Sequence, residues 1–114
     1  MEFVPGLVFR PLVGTQLMAN YVRYNPDTIA PRHTHEEEQI TVVIEGELEF
    51  DLAGDLRMMG PGMAVVVPPG VPHGARTRDA PCFEIDIFHP PRRALLELTQ
   101  ASGEHLADTA EPSP

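Results

Sequence analysis

The stretch Pro31–Gly46, with the sequence PRHTHEEEQITVVIEG, is the part of the chain that decides how the rest is interpreted. It places His33, His35 and Gln39 at odd-numbered positions just before a run of β-branched residues. Because successive side chains of a strand point to opposite faces, these three are expected to share one face. Imidazole nitrogens bind zinc, nickel, copper or iron, and an amide oxygen can complete such a ligand set. The stretch therefore predicts a transition-metal site.

A second stretch, Gly62–His73 (GMAVVVPPGVPH), ends in a histidine that follows a proline-rich segment. Residues 68–72 contain too many prolines for a central strand, so we expect a rigid loop there. A rigid loop would hold His73 in one place. We therefore expect the two stretches to meet around one metal ion.

Composition favours a small all-β domain. The chain has 114 residues, with 13 prolines and 9 glycines that recur between short apolar runs. This punctuation is typical of a sandwich or barrel of short strands joined by turns. The formal net charge of -9 disfavours binding to nucleic acid or to an anionic membrane surface. It does not exclude an anionic small molecule, because a metal ion and one arginine can dominate the local field.

The two ends of the chain lead to separate expectations. Prolines split residues 2–13 into two pieces, which suggests edge strands. Residues 95–98 are the only plausible helix, and residues 99–114 are expected to form a disordered acidic tail. With no basic leader and no long apolar run in the sequence, we expect a soluble, cytoplasmic protein.

The last strand, expected over residues 82–88, has an acidic face and an apolar face. Asp86 shares the acidic face, which would either turn to water or line a barrel interior. In the second case the apolar face needs cover, which a second sheet or a dimer partner could supply. For Glu84 the expectation is a cross-strand ion pair with Arg76 or Arg78.

Taken together, the two stretches resemble the cupins. The first cupin motif, G-x5-H-x-H-x3,4-E-x6-G, is matched over residues 27–46, with Asp27 at the first glycine and Gln39 at the glutamate. The second motif, G-x5-P-x-G-x2-H-x3-N, is matched over residues 62–77, with Thr77 at the asparagine. The resemblance implies a double-sheet jelly-roll barrel over residues 1–98 with a short C-terminal helix. It also implies four metal ligands, which are His33, His35, Gln39 and His73.

Glutamine at the position of the usual glutamate has a chemical consequence. A glutamate would cancel one unit of the metal's charge, whereas Gln39 leaves a divalent ion a stronger Lewis acid. This favours polarising a substrate oxygen over activating dioxygen. The ligand set accepts one divalent Zn, Ni, Fe, Cu or Mn ion and does not choose among them. Glu37 shares the face of the histidines, and whether it enters the site stays open.

The segment Asp86–Arg92, DIFHPPR, is similar to the D-V-F-x-P-P-R segment of the KdgF-type cupins. Those proteins open the ring of 4,5-unsaturated monouronates released from pectin and alginate, giving a linear keto acid. By position, the resemblance implies that Asp86 is the acid/base and that Phe88 shapes the substrate pocket. It implies that Arg92 binds the substrate carboxylate, which a guanidinium fork fits well.

The sequence thus favours a homodimeric, metal-binding cupin that performs non-redox chemistry on a small anionic acid. The main hypothesis is uronate ring opening, with Asp86 moving the proton. One alternative is a metal-dependent dioxygenase of a small phenol or flavonol. Another is a non-enzymatic protein that senses or binds a small ligand.

Overall fold

The computed structural model describes residues 2–101, which form ten strands and one helix. The first four strands precede His35, and they are β1 (Glu2–Val4), β2 (Leu7–Val13), β3 (Met18–Tyr24) and β4 (Ile29–His33). The middle strands are β5 (Glu38–Gly46), β6 (Leu48–Leu52) and β7 (Asp55–Met59). The last elements are β8 (Ala64–Val67), β9 (His73–Arg76), β10 (Cys82–His89) and α1 (Arg93–Ala101).

The strands form two antiparallel sheets that enclose one core. The larger sheet has the order β1-β2-β3-β10-β5-β8, and the smaller has the order β4-β9-β6-β7. Alternate residues of each strand point inward, which gives the core side chains from both sheets. The largest fully buried apolar side chains come from seven of these strands, and they are Phe9, Met18, Val43, Leu48, Met59, Val67 and Phe88. The predicted all-β, double-sheet architecture with a C-terminal helix is confirmed.

The ends of the described chain differ from the sequence expectations. Strand β2 lies inside the sheet order rather than at the edge, although it contains Pro11. Proline is tolerated there because β1 pairs only with Leu7 and Val8 of β2, so no β1 residue needs a hydrogen bond from the Pro11 backbone nitrogen. The helix runs over Arg93–Ala101, longer than the predicted 95–98, and it includes the first three residues of the predicted tail. The rest of that tail, residues 102–114, lies outside the described residues.

Two motif positions show why the cupin spacing suits this backbone. Asp27, where the motif has glycine, has a φ of 55°, and aspartate is among the few residues that adopt this left-handed conformation readily. Thr77, where the motif has asparagine, is buried. Its hydroxyl donates to the carbonyl of Asn25 at 2.5 Å and accepts from the backbone N–H of Thr28 at 3.0 Å. Thr77 thereby holds the turn between β3 and β4 against the end of β9.

Candidate active site

Three histidines converge at one end of the barrel from three different segments. His33 ends β4, His35 lies in the connection to β5, and His73 begins β9. Strands β4 and β9 are paired so that His33 lies opposite His73. The ring centroids are 4.4 Å apart for His33 and His73, 4.8 Å for His35 and His73, and 5.5 Å for His33 and His35. One ligand atom from each ring lies within 4.8 Å of the others.

This convergence corrects the first geometric expectation. His33, His35 and Gln39 do not share a single strand face, because β4 belongs to the smaller sheet and β5 to the larger. The connecting segment, residues 34–37, crosses between the sheets and carries His35. The three side chains meet because the chain turns between the two sheets, and strand alternation does not explain their proximity.

Backbone carbonyls orient all three imidazoles in the same way. The Nδ1 atom lies 2.9 Å from the Pro31 carbonyl oxygen in His33 and 2.9 Å from the Val71 carbonyl oxygen in His73. In His35, Nδ1 lies 3.1 Å from the carbonyl oxygen of Glu37. A carbonyl can only accept, so each Nδ1 carries the hydrogen and each Nε2 keeps a free lone pair. This is the tautomer that metal binding through Nε2 requires.

His73 gives the clearest sign that the cluster fits a cation. Its Nε2 atom is buried and has no hydrogen-bond partner within the described part of the chain. Burial lowers the pKa of His73 to about 4, so the ring is neutral at physiological pH. Burial also lowers the pKa of His33 and of His35. A buried lone pair without a donor is costly, and a metal ion would satisfy it.

The Gln39 amide is held so that its oxygen faces the cluster. Its Nε2 donates to the Thr41 hydroxyl at 2.8 Å and lies 3.4 Å from Oδ1 of Asp86. Its Oε1 therefore lies toward His35, 3.0 Å from Nε2 of that ring. With Nδ1 of His35 donating to a carbonyl, two lone pairs face each other across this distance. A cation bound by both atoms would relieve the repulsion, so the residues present fit the predicted ligand set.

Glu37 lies beside the cluster rather than inside it. Its Oε1 is 3.5 Å from Nδ1 of His35, the nitrogen that faces away from the other rings' ligand atoms. Its charge also favours the protonated form of Arg92. Glu37 is therefore placed to act on the surroundings of the site and not as a ligand through this contact.

A cavity of about 60 Å³ extends from the histidines into the barrel. That volume accommodates several water molecules, since one water needs roughly 10–15 Å³ by the same measure. The cavity is lined by residues of both sheets and of α1. Its polar lining residues are Asn20, Tyr24, His33, Gln39, His73, Glu84, Asp86 and Arg92. The three residues singled out in DIFHPPR all line it.

Asp86 points into the barrel, not to water. It is half-buried on the inner face of β10, where its register partners are Asn20 on β3 and Thr41 on β5. The Thr41 hydroxyl donates to Oδ1 of Asp86 at 2.6 Å. Burial raises the pKa of Asp86, and the hydrogen bond from Thr41 and the charge of Arg92 oppose that rise. A carboxyl in such surroundings is suited to proton transfer near neutral pH.

Arg92 and Phe88 lie together beside the cluster. The guanidinium carbon of Arg92 is 5.8 Å from the centroid of the Phe88 ring. Phe88 is fully buried, and its ring meets that of His35 edge-on at 5.6 Å. The Nε atom of Arg92 is buried and has no hydrogen-bond partner among the described residues. A half-buried guanidinium with an unpaired donor provides a binding point for an anion.

Glu84 overturns one sequence expectation. It does not pair with Arg76 or Arg78 but lies inside the barrel, 2% exposed, below Asp86 on β10. Its carboxyl accepts from the hydroxyl of Tyr24 at 3.5 Å. The expectation failed because it assigned the acidic face of β10 to solvent at this position, whereas the sheet turns that face inward.

The polar residues that sequence reasoning missed are Thr41, Tyr24 and Glu84. Thr41 could have been predicted from the sequence, since it lies two residues after Gln39 on β5 and its side chain must point to the same face. Alternation also places Glu84 on the face of Asp86, but Tyr24 gave no such signal, because only the pairing of β3 with β10 brings it to Glu84.

Comparison with known proteins agrees with this architecture. The cupin domain family (Cupin_2) matches residues 20–88, and the chain therefore belongs to the cupins. Both histidine segments and the inward-facing Asp86 lie within the matched region. The histidine cluster makes this a cupin able to bind a metal ion.

Three proteins illustrate what the chain is similar to. The solved structure of KdgF from Halomonas sp. superposes with a TM-score of 0.79 and 31% identity, covering 83% of this chain and 88% of that one. The dimethylsulfoniopropionate lyase DddQ of Ruegeria pomeroyi is 36% identical over 89 residues, 76% of this chain and 44% of the lyase. The H2HPP isomerase of Bacillus subtilis is 40% identical over 76 residues, 64% of this chain and 31% of the isomerase. The chain thus spans less than half the length of these two curated relatives.

Within residues 2–101, no helix is long and apolar enough to cross a bilayer.

Proposed function

We propose that this protein is a metal-dependent, non-redox enzyme that opens the ring of 4,5-unsaturated monouronates. One observation carries the proposal: the half-buried acid Asp86, an arginine with an unpaired Nε and two of the three clustered histidines, His33 and His73, line one cavity. Ring opening needs all three capacities, which are proton transfer, anion binding and polarisation of a substrate oxygen. The likeness to KdgF extends over most of both chains and supports the same assignment.

Arg92 is the proposed anchor for the substrate carboxylate. Its buried Nε is unpaired, and burial lowers the pKa of its guanidinium. A bound anion would accept a hydrogen bond from Nε and stabilise the positive charge. Phe88 packs beneath both Arg92 and His35 and would hold the bound ring against the cluster. Together Arg92 and Phe88 would fix the orientation of a small acid between the guanidinium and the histidine cluster.

Asp86 is the proposed acid/base. The reaction moves protons without gain or loss of atoms. As the bond from C1 to the ring oxygen breaks, the C1 hydroxyl loses its proton and the ring oxygen becomes an enol hydroxyl on C5. That enol then becomes a ketone when C4 gains a proton and the hydroxyl loses one. Asp86 can accept and return such a proton because burial raises its pKa above the usual value for an aspartate.

His33, His35, His73 and Gln39 would hold the metal ion. When bound, a divalent ion would polarise a substrate oxygen as a Lewis acid. The neutral amide of Gln39 would leave that ion its full charge.

The first test is an assay of metal-loaded protein with a 4,5-unsaturated monouronate. We expect its ultraviolet absorbance to fall without oxygen uptake. Dimethylsulfoniopropionate and a phenolic substrate complete the panel. Turnover of dimethylsulfoniopropionate instead of the uronate would assign the DddQ type of reaction. Oxygen uptake with the phenolic substrate would assign the dioxygenase. Binding without turnover of any of them would favour the non-enzymatic alternative.

The second test separates the roles of the side chains. Asp86→Asn should lower kcat by about 10²- to 10⁴-fold, the range for loss of a general acid/base, while metal content stays unchanged. Arg92→Ala should raise KM by about 10- to 100-fold, as expected for a lost charge-assisted hydrogen bond. Arg93→Ala is the matched control, since Arg93 is the neighbouring arginine and is exposed. If Asp86→Asn keeps full activity, the proposed role of Asp86 is wrong.

A further inference from the structure

Glu84 is a buried acid that the proposed reaction does not use. It lies two residues before Asp86 on β10, so both side chains point to the inner face. It is 2% exposed and lines the same cavity as Asp86, His33 and His73. Its neighbours in register are Val22 on β3 and Val43 on β5, which are both buried and apolar.

The surroundings of Glu84 do not suit a negative charge. Within residues 2–101, its carboxyl has no ion-pair partner, and Oε1 has no N–H or O–H donor. The Tyr24 hydroxyl reaches Oε2 only at 3.5 Å. The carboxyl of Asp86 lies on the same face, two residues further along β10, and lines the same cavity. An ionised carboxylate here would be desolvated and would face a second acid, so the neutral form is favoured.

Glu84 and Asp86 are neighbours on the inner face of β10 and line one cavity, and two carboxyls that share a hydrogen bond must hold at least one proton between them. The donors around the pair show which acid keeps it. Asp86 accepts from the Thr41 hydroxyl at 2.6 Å and lies near the Gln39 amide and the charge of Arg92. Glu84 has only the long contact from Tyr24. The proton therefore belongs on Glu84, and in agreement with this, burial and Asp86 raise the pKa of Glu84 well above its usual value.

We propose that Glu84 is a positioning residue, a neutral carboxylic acid that donates a hydrogen bond to Asp86 and fixes the direction of its carboxylate in the cavity. The positioning role rests on the proposed function of Asp86. Thr41 and Glu84 would hold Asp86 from two sides, because the first comes from β5 and the second from β10 itself. With both donors in place, the Asp86 carboxylate cannot rotate freely about its side chain. A fixed carboxylate would lower the cost of bringing it to a reacting carbon.

The protonation of Glu84 can be tested without any substrate. Infrared spectra of the metal-loaded protein at neutral pH should contain the carbonyl-stretch band of a buried, protonated carboxylic acid. We expect this band to disappear in Glu84→Gln and to persist in Asp86→Asn. Absence of the band in the unaltered protein, or its loss in Asp86→Asn alone, would overturn the proposal.

The positioning role is tested by pairing Glu84→Gln with Glu84→Leu. Glutamine keeps a neutral donor, so Glu84→Gln should retain kcat within a few-fold. Leucine removes the donor, so Glu84→Leu should lower kcat by about 10- to 100-fold with KM almost unchanged. Equal losses in the two variants would mean that Glu84 acts as an ion, and full activity of Glu84→Leu would mean that it has no positioning role.

The two sets of experiments fail independently. If the unaltered protein does not turn over the uronate, the proposed function is wrong, yet the infrared band still decides whether Glu84 carries the proton. If Glu84→Leu does not fold, the comparison of Glu84→Gln with Asp86→Asn in the infrared still supports or overturns the neutral acid.

Discussion

At the residue scale, the histidine cluster is set by backbone carbonyls. Each Nδ1 donates to a carbonyl oxygen that lies two residues away along the chain, on Pro31, Glu37 or Val71. These short-range contacts select the tautomer before any metal is present, and they leave each Nε2 free. The cluster is therefore preorganised locally, and the ring positions need only the right turns on either side.

Loss of one ring should weaken metal binding strongly. We predict that His73→Ala lowers zinc affinity by more than the roughly 10- to 100-fold that follows loss of a group merely hydrogen-bonded to a ligand. The reason is that His73 offers a buried Nε2 that has no hydrogen-bond partner among the described residues. Competition with a chelating dye measures the affinity. His89→Ala, at an exposed histidine of β10, serves as the control. Unchanged affinity in His73→Ala would remove this residue from the site.

The metal-free protein should lose stability in acid through the same ring. Burial lowers the pKa of His73 to about 4, against about 6.5 in an unfolded chain, so the unfolded state binds a proton first. The neutral His73 ring therefore contributes roughly 3 kcal/mol to the free energy of unfolding. This contribution is complete above pH 6.5 and is lost as the pH falls through 4.

Urea unfolding of the chelator-treated protein between pH 7 and pH 4 measures this loss. The carboxyl groups also titrate in this range, so the comparison that matters is with His73→Asn. We expect the variant to lose less stability than the unaltered protein over the same interval. Equal pH dependence in both proteins would contradict the assignment.

At the element scale, the site depends on how one segment crosses between the sheets. Strand β4 pairs with β9 in the smaller sheet, and β5 pairs with β10 in the larger sheet. The four residues between β4 and β5 span the barrel mouth and bring His35 and Gln39 toward His73. Gly74, next to His73, allows the close approach, since a Cβ there would lie 3.0 Å from the Ala30 carbonyl oxygen.

The last glycine of the first motif should be indispensable for stability. Gly46 has a φ of 83°, and a Cβ on it would collide with the carbonyl oxygen of Pro81. Gly62 has a similar φ of 85°, with nothing within 4 Å of its Cβ position. We predict that Gly62→Ala costs about 1–3 kcal/mol from backbone strain alone and that Gly46→Ala costs clearly more. Chemical denaturation compares the two, and equal losses would mean that the contact with Pro81 is easily relaxed.

At the scale of the whole molecule, the larger sheet leaves an apolar outer face. Strand register places five apolar residues in one row across β2, β3, β10, β5 and β8. They are Leu12, Ala19, Ile87, Ile40 and Val66. Val66 is 51% exposed, Ile40 38% and Ile87 36%. The smaller sheet packs against the opposite, inner face, so within residues 2–101 no second sheet covers the outer row.

The homodimer predicted from the sequence can be tested on this row. We predict that Ile87→Glu shifts the protein toward monomer, because a charge in the centre of a buried apolar interface is poorly solvated. Sedimentation velocity over a range of concentrations measures the shift. Leu56→Glu, at an exposed apolar residue of β7 in the smaller sheet, is the matched control. A monomeric unaltered protein, or a dimer unaffected by Ile87→Glu, would contradict this interface.

Much of the fold could be predicted because its signals are local. Proline and glycine turns separate β-branched runs such as residues 40–44 and 64–67, and backbone geometry alone makes such runs strands. The proline-rich segment before His73 was correctly predicted as a loop between β8 and β9. Strand β4 and the full length of α1 were not, because neither has a periodic pattern long enough to be distinguished from its neighbours.

The residues able to bind a metal could be named from the sequence, since ligand chemistry belongs to the side chains. The sequence also shows that these residues occur at cupin spacing. How they meet depends on the fold, because His33 and Gln39 come from different sheets and the pairing of β4 with β9 brings His33 to His73. The burial of Glu84 likewise depends on the tertiary fold. Alternation placed it on the same face as Asp86, but only closure of the barrel made that face the interior, where an acid becomes desolvated.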